Sequence, residues 1–339
     1  MKNPTRLAFN AWIERQQQLN SVPSARESFS VAPTVQQTLE TRIQESSELL
    51  RSINVIGVAE KQGQKLGLGV SGPIASRTNT DTTDRVPRAV DAMNATDYDC
   101  KQTNYDTFVR YGTLDAWAKF KDFQARLRDV IVQRQALDRL VIGFNGTSAA
   151  ATTNLGANPL LQDVNIGWLQ HIRTDAPTRV MNDGGAAGVG PIKVGPAAGA
   201  DYKNLDGLVY DAAQTLIDPW FRNDTKLVAI VGGNLMHDKL FPLVGAQNAP
   251  SEQLAADIVR SQRRLGGLQA ITAPYFPAGT VLVTRLDNLS IYWQEGARRR
   301  TIVDNAKRDR IENYESSNDA YVVEDYGMCA LIENIELVD

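Results

Sequence analysis

The chain has 339 residues, 42% of them hydrophobic, which supports one large core or two modest ones and excludes a disordered polypeptide. Its 36 basic and 39 acidic residues leave a formal charge of −3, which argues against a dedicated nucleic-acid binder whose affinity rests on neutralising phosphates. No run approaches the ~20 apolar residues of a membrane span, and MKNPTRLAFNAWIERQQQ lacks the apolar core of a secretory signal, so the chain is expected to stay where it is made.

Residues 1–30 read as a detachable arm. Phe9, Trp12, Ile13 and Leu19 share one helical face before Pro23, Ser24 and Pro33 break the period. A helix this short is marginal alone and must dock, on its own domain or on a partner. A second amphipathic helix is predicted over Val35 to Ile53, carrying Leu39, Ile43, Leu49 and Leu50. From Asn54 to Tyr111 the pattern turns extended, with two alternating arms, residues 54–76 and 100–112. The polar tract Arg77 to Asp97 between them is the expected tip of a long two-stranded projection. Such a hairpin is marginal by itself and needs a neighbour to lie upon.

Thr113 is the expected cap of a helix of roughly thirty residues, about 45 Å long, running to Gly143. Leu114, Trp117, Ala118, Leu127, Ile131, Leu137 and Val141 supply its apolar stripe. Lys119, Lys121, Arg126, Arg128, Arg134 and Arg139 are its expected charged face. The stripe does not hold strict heptads, so a helix lying across a sheet is favoured over a coiled coil. After a turn-rich stretch, Asn145 to Pro159, a short helix is expected with Leu160, Leu161, Trp168 and Leu169. Residues 183–201, rich in glycine and alanine, read as a surface loop. Then come helix Leu205 to Ile217, strand Lys226 to Val231, helices Leu235 to Val244 and Glu252 to Leu265, and strands near 269–272, 280–284 and 290–294. A last strand-like run covers Ala320 to Leu337. The fold class is mixed α/β, with one subdomain inserted between elements of another.

Chemistry-bearing patterns are sparse. LVAIVGGN, residues 227–234, ends a strand at two glycines but lacks the G-x-G-x-x-G spacing, and no phosphate-cradling P-loop occurs, so a tight turn is the expected reading over a nucleotide-binding enzyme. His171 and His237 lie far apart, without a cluster of metal ligands, and leave a nucleophilic triad little material. Glu324 and Asp325 are adjacent in a strand and point to opposite faces. Cys100 and Cys329 read as small buried hydrophobes rather than a disulfide. The basic run Arg298, Arg299, Arg300, Lys307, Arg308 and Arg310 lacks interleaved aromatics, so a solvated or subunit-contacting loop is expected instead of a nucleic-acid patch. No catalytic, cofactor-binding or metal-binding residue is assigned, and no cofactor is expected.

Six collinear blocks resemble one family: QESSELL (44–50), GVSGPIAS (69–76), NPLLQDVNIGWLQ (158–170), SEQLAADIVRSQRR (251–264), PYFPAGTVLVTRLDNLSIY (274–292) and ENYESSNDAYVVEDY (312–326). They are similar to the major capsid proteins of P-two-like (Peduovirus-type) tailed phages, while the tract 183–201 shows least similarity. The resemblance implies the Hong Kong 97-type capsid fold: an N-terminal arm at 1–52, an extended E-loop hairpin at 53–111, a peripheral domain with a spine helix at 112–200 and a return strand at 311–339, and an axial domain at 201–310. It implies a structural protein, not an enzyme, that self-assembles into the hexamers and pentamers of an icosahedral head shell around double-stranded DNA. The implied partners are further copies of itself, an internal scaffold and protease, the portal protein, and DNA contacted loosely, with no membrane. The implied location is the virion, after assembly in the bacterial cytoplasm. A portal or tail subunit is the alternative within phage structural proteins.

Overall fold

The structure, a computed structural model, describes residues 1–70, 75–87, 91–117, 123–185, 189–237 and 263–338, the side chains of 66–70, 91–96, 117, 123 and 124 excepted. In chain order the N-terminal part contains α1 (Asn3–Asn20), β1 (Phe29–Ser30), α2 (Pro33–Glu45), α3 (Glu48–Ser52), β2 (Asn54–Val58), β3 (Gln62–Val70), β4 (Asp91–Asp99), β5 (Lys101–Asn104) and β6 (Thr107–Arg110). The middle contains α4 (Tyr111–Trp117), α5 (Phe123–Asn145), α6 (Trp168–Asp175), β7 (Val180–Met181), β8 (Ile192–Val194) and α7 (Leu205–Leu216). Then follow β9 (Leu227–Val231), β10 (Arg264–Leu265), β11 (Leu268–Thr272), β12 (Val281–Arg285), β13 (Leu289–Gln294), β14 (Arg299–Asn305), β15 (Arg310–Val323), β16 (Ala330–Ile332) and β17 (Ile335–Leu337).

Among the described residues two large sheets organise the chain. One is seven-stranded, built along β1-β14-β15-β13-β2 with β5 and β6 also on β15; the other runs β10-β11-β9-β12-β16-β7. In the first, the fourteen-residue β15 is the axis. Along one edge it pairs β13 and then β14, and along the other β5 and then β6, all antiparallel. Each flanking line is thus one strand broken once, at 295–298 and at 105–106. At the first break Gly296 takes φ +70°, a conformation that costs glycine little.

The main core lies between this sheet and helices α2, α3, α5 and α6, around Ile43, Leu50, Leu140, Trp168, Ile291 and Tyr321. A second core packs α7, through Leu208, Val209 and Ala212, on the six-stranded sheet. Helix α5 closes tightly on α6 because glycine stands where they meet. A Cβ on Gly143 would overlap the Trp168 ring, and one on Gly146 would overlap the Asn165 carbonyl oxygen.

Several expectations need correcting. The long helix is described as α4 and α5, and residues 118–122, with the expected stripe or charge residues Ala118, Lys119 and Lys121, lie outside the described residues. Thr113 does not cap it. The helix begins at Tyr111, whose N–H donates to the Asp309 carbonyl. Through its middle α5 buries Val132, Gln135, Ala136, Arg139, Leu140 and Gly143, an i, i+3, i+4, i+7 pattern one step around from Leu127 and Ile131, which are only half-buried, while near its end Val141, as expected, is buried together with Ile142 and Phe144. Arg139, expected in solvent, is 1% exposed. Consequently Ile131→Ala should cost about 1 kcal/mol and Arg128→Ala within about 0.5, against about 2–5 kcal/mol for Leu140→Ala. Denaturant titration of the three variants checks this ordering, and an Ile131→Ala cost equal to that of Leu140→Ala would contradict it.

Leu160 and Leu161 lie in turns ahead of α6, which starts at Trp168. The helix expected to end at Leu265 gives way to β10 there, because Gly266 and Gly267, at φ +58° and +83°, make a two-residue hairpin turn into β11. Residues 238–262, where the rest of that helix and most of the preceding one fall, lie outside the described residues. The glycine-rich tract is not wholly a loop: β8 pairs in parallel with β17 and buries Ile192 and Val194. The C-terminal run resolves into the end of β15, then β16 and β17.

Candidate assembly interface

The projection starts where two strands of the seven-stranded sheet continue beyond it. β2 leads into β3 and β5 is the continuation of β4, and β3 pairs β4 antiparallel from Gln62↔Asp99 to Val70↔Asp91. The return arm is therefore 91–99, which falls within the tract expected to be the tip as far as Asp97, and the expected arm 100–112 belongs instead to β5, β6 and the start of α4. The alternation in KQTN and TFVR is real, but it faces β15 rather than a hairpin partner. β3 and β4 form a sheet with no third strand among the described residues. The described tip residues 75–87 are almost all exposed, Val86 at 80%.

Side chains fasten the base of the hairpin. The Tyr98 ring packs over Gly63, where a Cβ would lie 2.7 Å from its hydroxyl, and meets Tyr292 edge-on at 5.2 Å. Lys65 pairs with Glu324 at 3.0 Å and also donates to the Val323 and Glu324 carbonyls. Glu324 in turn accepts from Ser290 at 2.5 Å and Tyr292 at 2.9 Å. Both residues are half-buried, and their contacts seat the base of the hairpin on the sheet.

The N-terminal arm docks on its own chain. Phe9 and Ile13 bury against Ala25, Phe29, Val31, Ile302 and Ile311. Arg6 and the Tyr111 hydroxyl converge on Asp304, and the Lys2 N–H donates to Asp115 at 2.9 Å. Of the expected face, Trp12 packs partly beneath Arg300, while Leu19 stays 49% exposed.

Beneath α2 and α5 lies a polar cluster that no sequence pattern indicated. Arg139 reaches Glu40 at 2.5 Å and Asp319 at 3.1 and 3.2 Å. Arg298 reaches Glu40 at 2.6 Å, Glu315 at 2.5 Å and Gln135 at 2.8 Å. Ser317 and Tyr105 also donate to Asp319. Arg298 and Tyr105 enter from the two strand breaks beside β15, so the breaks deliver cluster members. Burial opposes ionisation of Glu40, but Arg139 and Arg298 outweigh it and hold the carboxyl below its ordinary range. Glu315 is held low against burial in the same way by Arg298. Burial, with the Glu40 charge nearby, moves the Asp319 carboxyl upward.

The basic run is a solvated turn only at Lys307 and Arg308, which are exposed between β14 and β15. Arg299 and Arg300 begin β14, Arg298 is fully buried, Arg300 donates to Asn313 at 2.7 Å and Arg310 pairs with Glu312 at 2.6 Å. The remaining chemistry-bearing residues stay scattered. His171 hydrogen-bonds Asp175 at 3.1 Å, and His237 lies in the short described start of a helix after Gly232. Burial pushes both the Cys100 and Cys329 thiols up to about 12, which makes them poor nucleophiles. Asp325 caps the Gly327 N–H while Glu324 takes Lys65, so the adjacent carboxylates serve different places. The Gly232 turn is tight, since a Cβ there would lie 2.7 Å from the Pro277 carbonyl oxygen. Among the described residues no group of three or more His, Cys, Asp or Glu could hold a metal ion, and no helix is long and apolar enough to cross a membrane.

Comparison with known proteins places this geometry. The family described as "Phage major capsid protein, P2 family" matches residues 8–335. The capsid protein of Escherichia phage P2 is 46% identical over 346 residues, covering 100% of this chain and 96% of the relative. The major capsid protein of Serratia phage KSP20 is 42% identical, covering 99% and 97%. Among solved structures, a chain of the satellite phage P4 procapsid that includes the size determination (Sid) protein superposes with TM-score 0.82 at 44% identity, covering 100% of this chain and 99% of that one. The capsid of the native GTA particle, at TM-score 0.52 and 13% identity over 86% of this chain and 91% of its own, shares the fold alone. The chain belongs to the P2 family of phage major capsid proteins, structural components of the virion shell with the Hong Kong 97-type fold.

Proposed function

We propose that the chain acts by association without turnover, closing into an icosahedral shell of hexamers and pentamers around double-stranded DNA, and that no residue is catalytic or binds a cofactor or metal. The observation that carries this reading is the β3–β4 hairpin, a two-stranded sheet held at its base by Lys65 and Glu324 and, among the described residues, left without a third strand within its own chain. An isolated hairpin of this kind gains stability by lying on a neighbour. Many repeated weak contacts then accumulate into a durable shell. We assign residues 1–52 to the arm, 53–111 to the E-loop, 112–200 and 311–339 to the peripheral domain and 201–310 to the axial domain, with β13 and β14 reaching from that last span into the peripheral sheet. An internal scaffold with protease and the portal protein are the expected partners. The formal charge of −3 favours loose, sequence-independent contact with packaged DNA. Electron micrographs of the purified full chain should show closed shells, and rings or tubes in their place would overturn the reading.

A further inference from the structure

A groove of about 900 Å³ opens between α1, α2 and α5 above β6 and β14. Its walls are apolar: Leu19, Val35, Leu39, Phe108, Leu127 and Ile131 line it. Phe108 is 52% and Leu19 49% exposed, and the Arg310 guanidinium lies over the Phe108 ring at 4.5 Å. Four arginines also line it, Arg15 on α1, Arg42 on α2, Arg128 on α5 and Arg300 on β14. The acidic residue among the described lining is Glu315, and Arg298 already engages it. Arg300 rests on uncharged groups, Asn313, the more distant Gln16 and the Trp12 ring. Burial, with the Arg298 charge nearby, holds its guanidinium below the ordinary arginine range although Glu315 acts against this, so a further carboxylate is favoured there.

We infer that this groove is a docking site for an acidic amphipathic helix on a separate polypeptide. The apolar floor receives an i, i+3, i+4, i+7 stripe, and the arginines meet carboxylates flanking it. The dimensions agree: a helix about 10 Å across, rising 1.5 Å per residue, fills about 900 Å³ in roughly eight residues, two turns. A second copy of this chain is a poorer occupant. Among the longer described helices α6 and α7 bury their apolar faces on their own sheets, and α1, α2 and α5 are walls of the groove. Arg42 and Arg128 are exposed on helix surfaces, and Arg128 pairs with its exposed sequence neighbour Asp129 at 2.8 Å, so charge reversal at both positions inverts the rim at little cost to the fold.

The test uses the full-length subunit and a fluorescein-labelled fourteen-residue helical peptide with a leucine stripe flanked by glutamates, read by fluorescence anisotropy. A second peptide carries lysine at each glutamate position. The acidic peptide should bind saturably and the basic one at least tenfold more weakly. The double variant R42E/R128E should lose at least tenfold in affinity for the acidic peptide and regain binding to the basic one, and added salt should weaken the wild-type interaction. Absence of saturable binding by the acidic peptide, equal binding of the two peptides, or an unchanged double variant overturns the proposal. Sedimentation velocity on the same samples covers the other occupant. If R42E/R128E alters self-association and leaves peptide affinity unchanged, the groove belongs to a second copy and the acidic-helix assignment falls.

Discussion

Arg139→Met should destabilise the free subunit by about 3–5 kcal/mol, because it leaves Glu40 and Asp319 buried without their shared cation. Glu40, Arg139 and Asp319 are each 3% exposed or less, so water does not screen the loss. Methionine approximates the arginine stem, and the cost is therefore electrostatic rather than a cavity. Adding Asp319→Asn should recover part of it, since the carboxamide removes one uncompensated charge while still accepting from Ser317 and Tyr105. Chemical denaturation of the wild type, both single variants and the double variant measures the coupling. An Arg139→Met cost under about 1 kcal/mol, or strictly additive effects, would show that the cluster does not act as a unit.

This cluster also marks where the sequence stops being readable. Local periodicity locates α7, β9, β11, β12 and β13 to within a residue or two, since each buries a face made of neighbours in sequence. The family blocks are legible because they are long and run in order along nearly the whole chain. The phase of α5 escapes hydropathy because its buried face includes Gln135 and Arg139, whose burial depends on Glu40, Arg298 and Asp319, the first ninety-nine residues from Arg139 and the last a hundred and eighty. Hydropathy places such residues in solvent. Arg298 escapes it for the same reason, and with it β14, whose polar start hides the strand-forming Thr301, Ile302 and Val303. The groove is likewise invisible in sequence. Phe108, Leu127 and Leu19 are spread over more than a hundred residues, and only the docking of α1 on its own chain brings them to one opening.

The hairpin offers the sharpest separation between folding and assembly. Its outgoing leg is legible as alternation, but β4, with the weakly apolar DAMNATDYD, reads in sequence as part of the polar tip. The observed register defines a clean excision. Lys65 pairs with Thr96, so removing residues 66–95 and joining these two through Asn-Gly closes a two-residue turn in register. The cut keeps Gly63, Tyr98 and the Lys65–Glu324 pair, and with them the contacts that seat the base on the sheet. Among the described residues neither core loses a member. The shortened subunit should therefore stay soluble and unfold in denaturant near the wild-type midpoint, yet yield no closed shells by sedimentation or electron microscopy. A large fall in the midpoint would mean that β3 and β4 stabilise the subunit itself. Closed shells at the wild-type yield would remove the hairpin from the assembly mechanism. The expected result, a folded subunit unable to close a shell, rests on the proposed docking of a strand pair that has no third strand among the described residues.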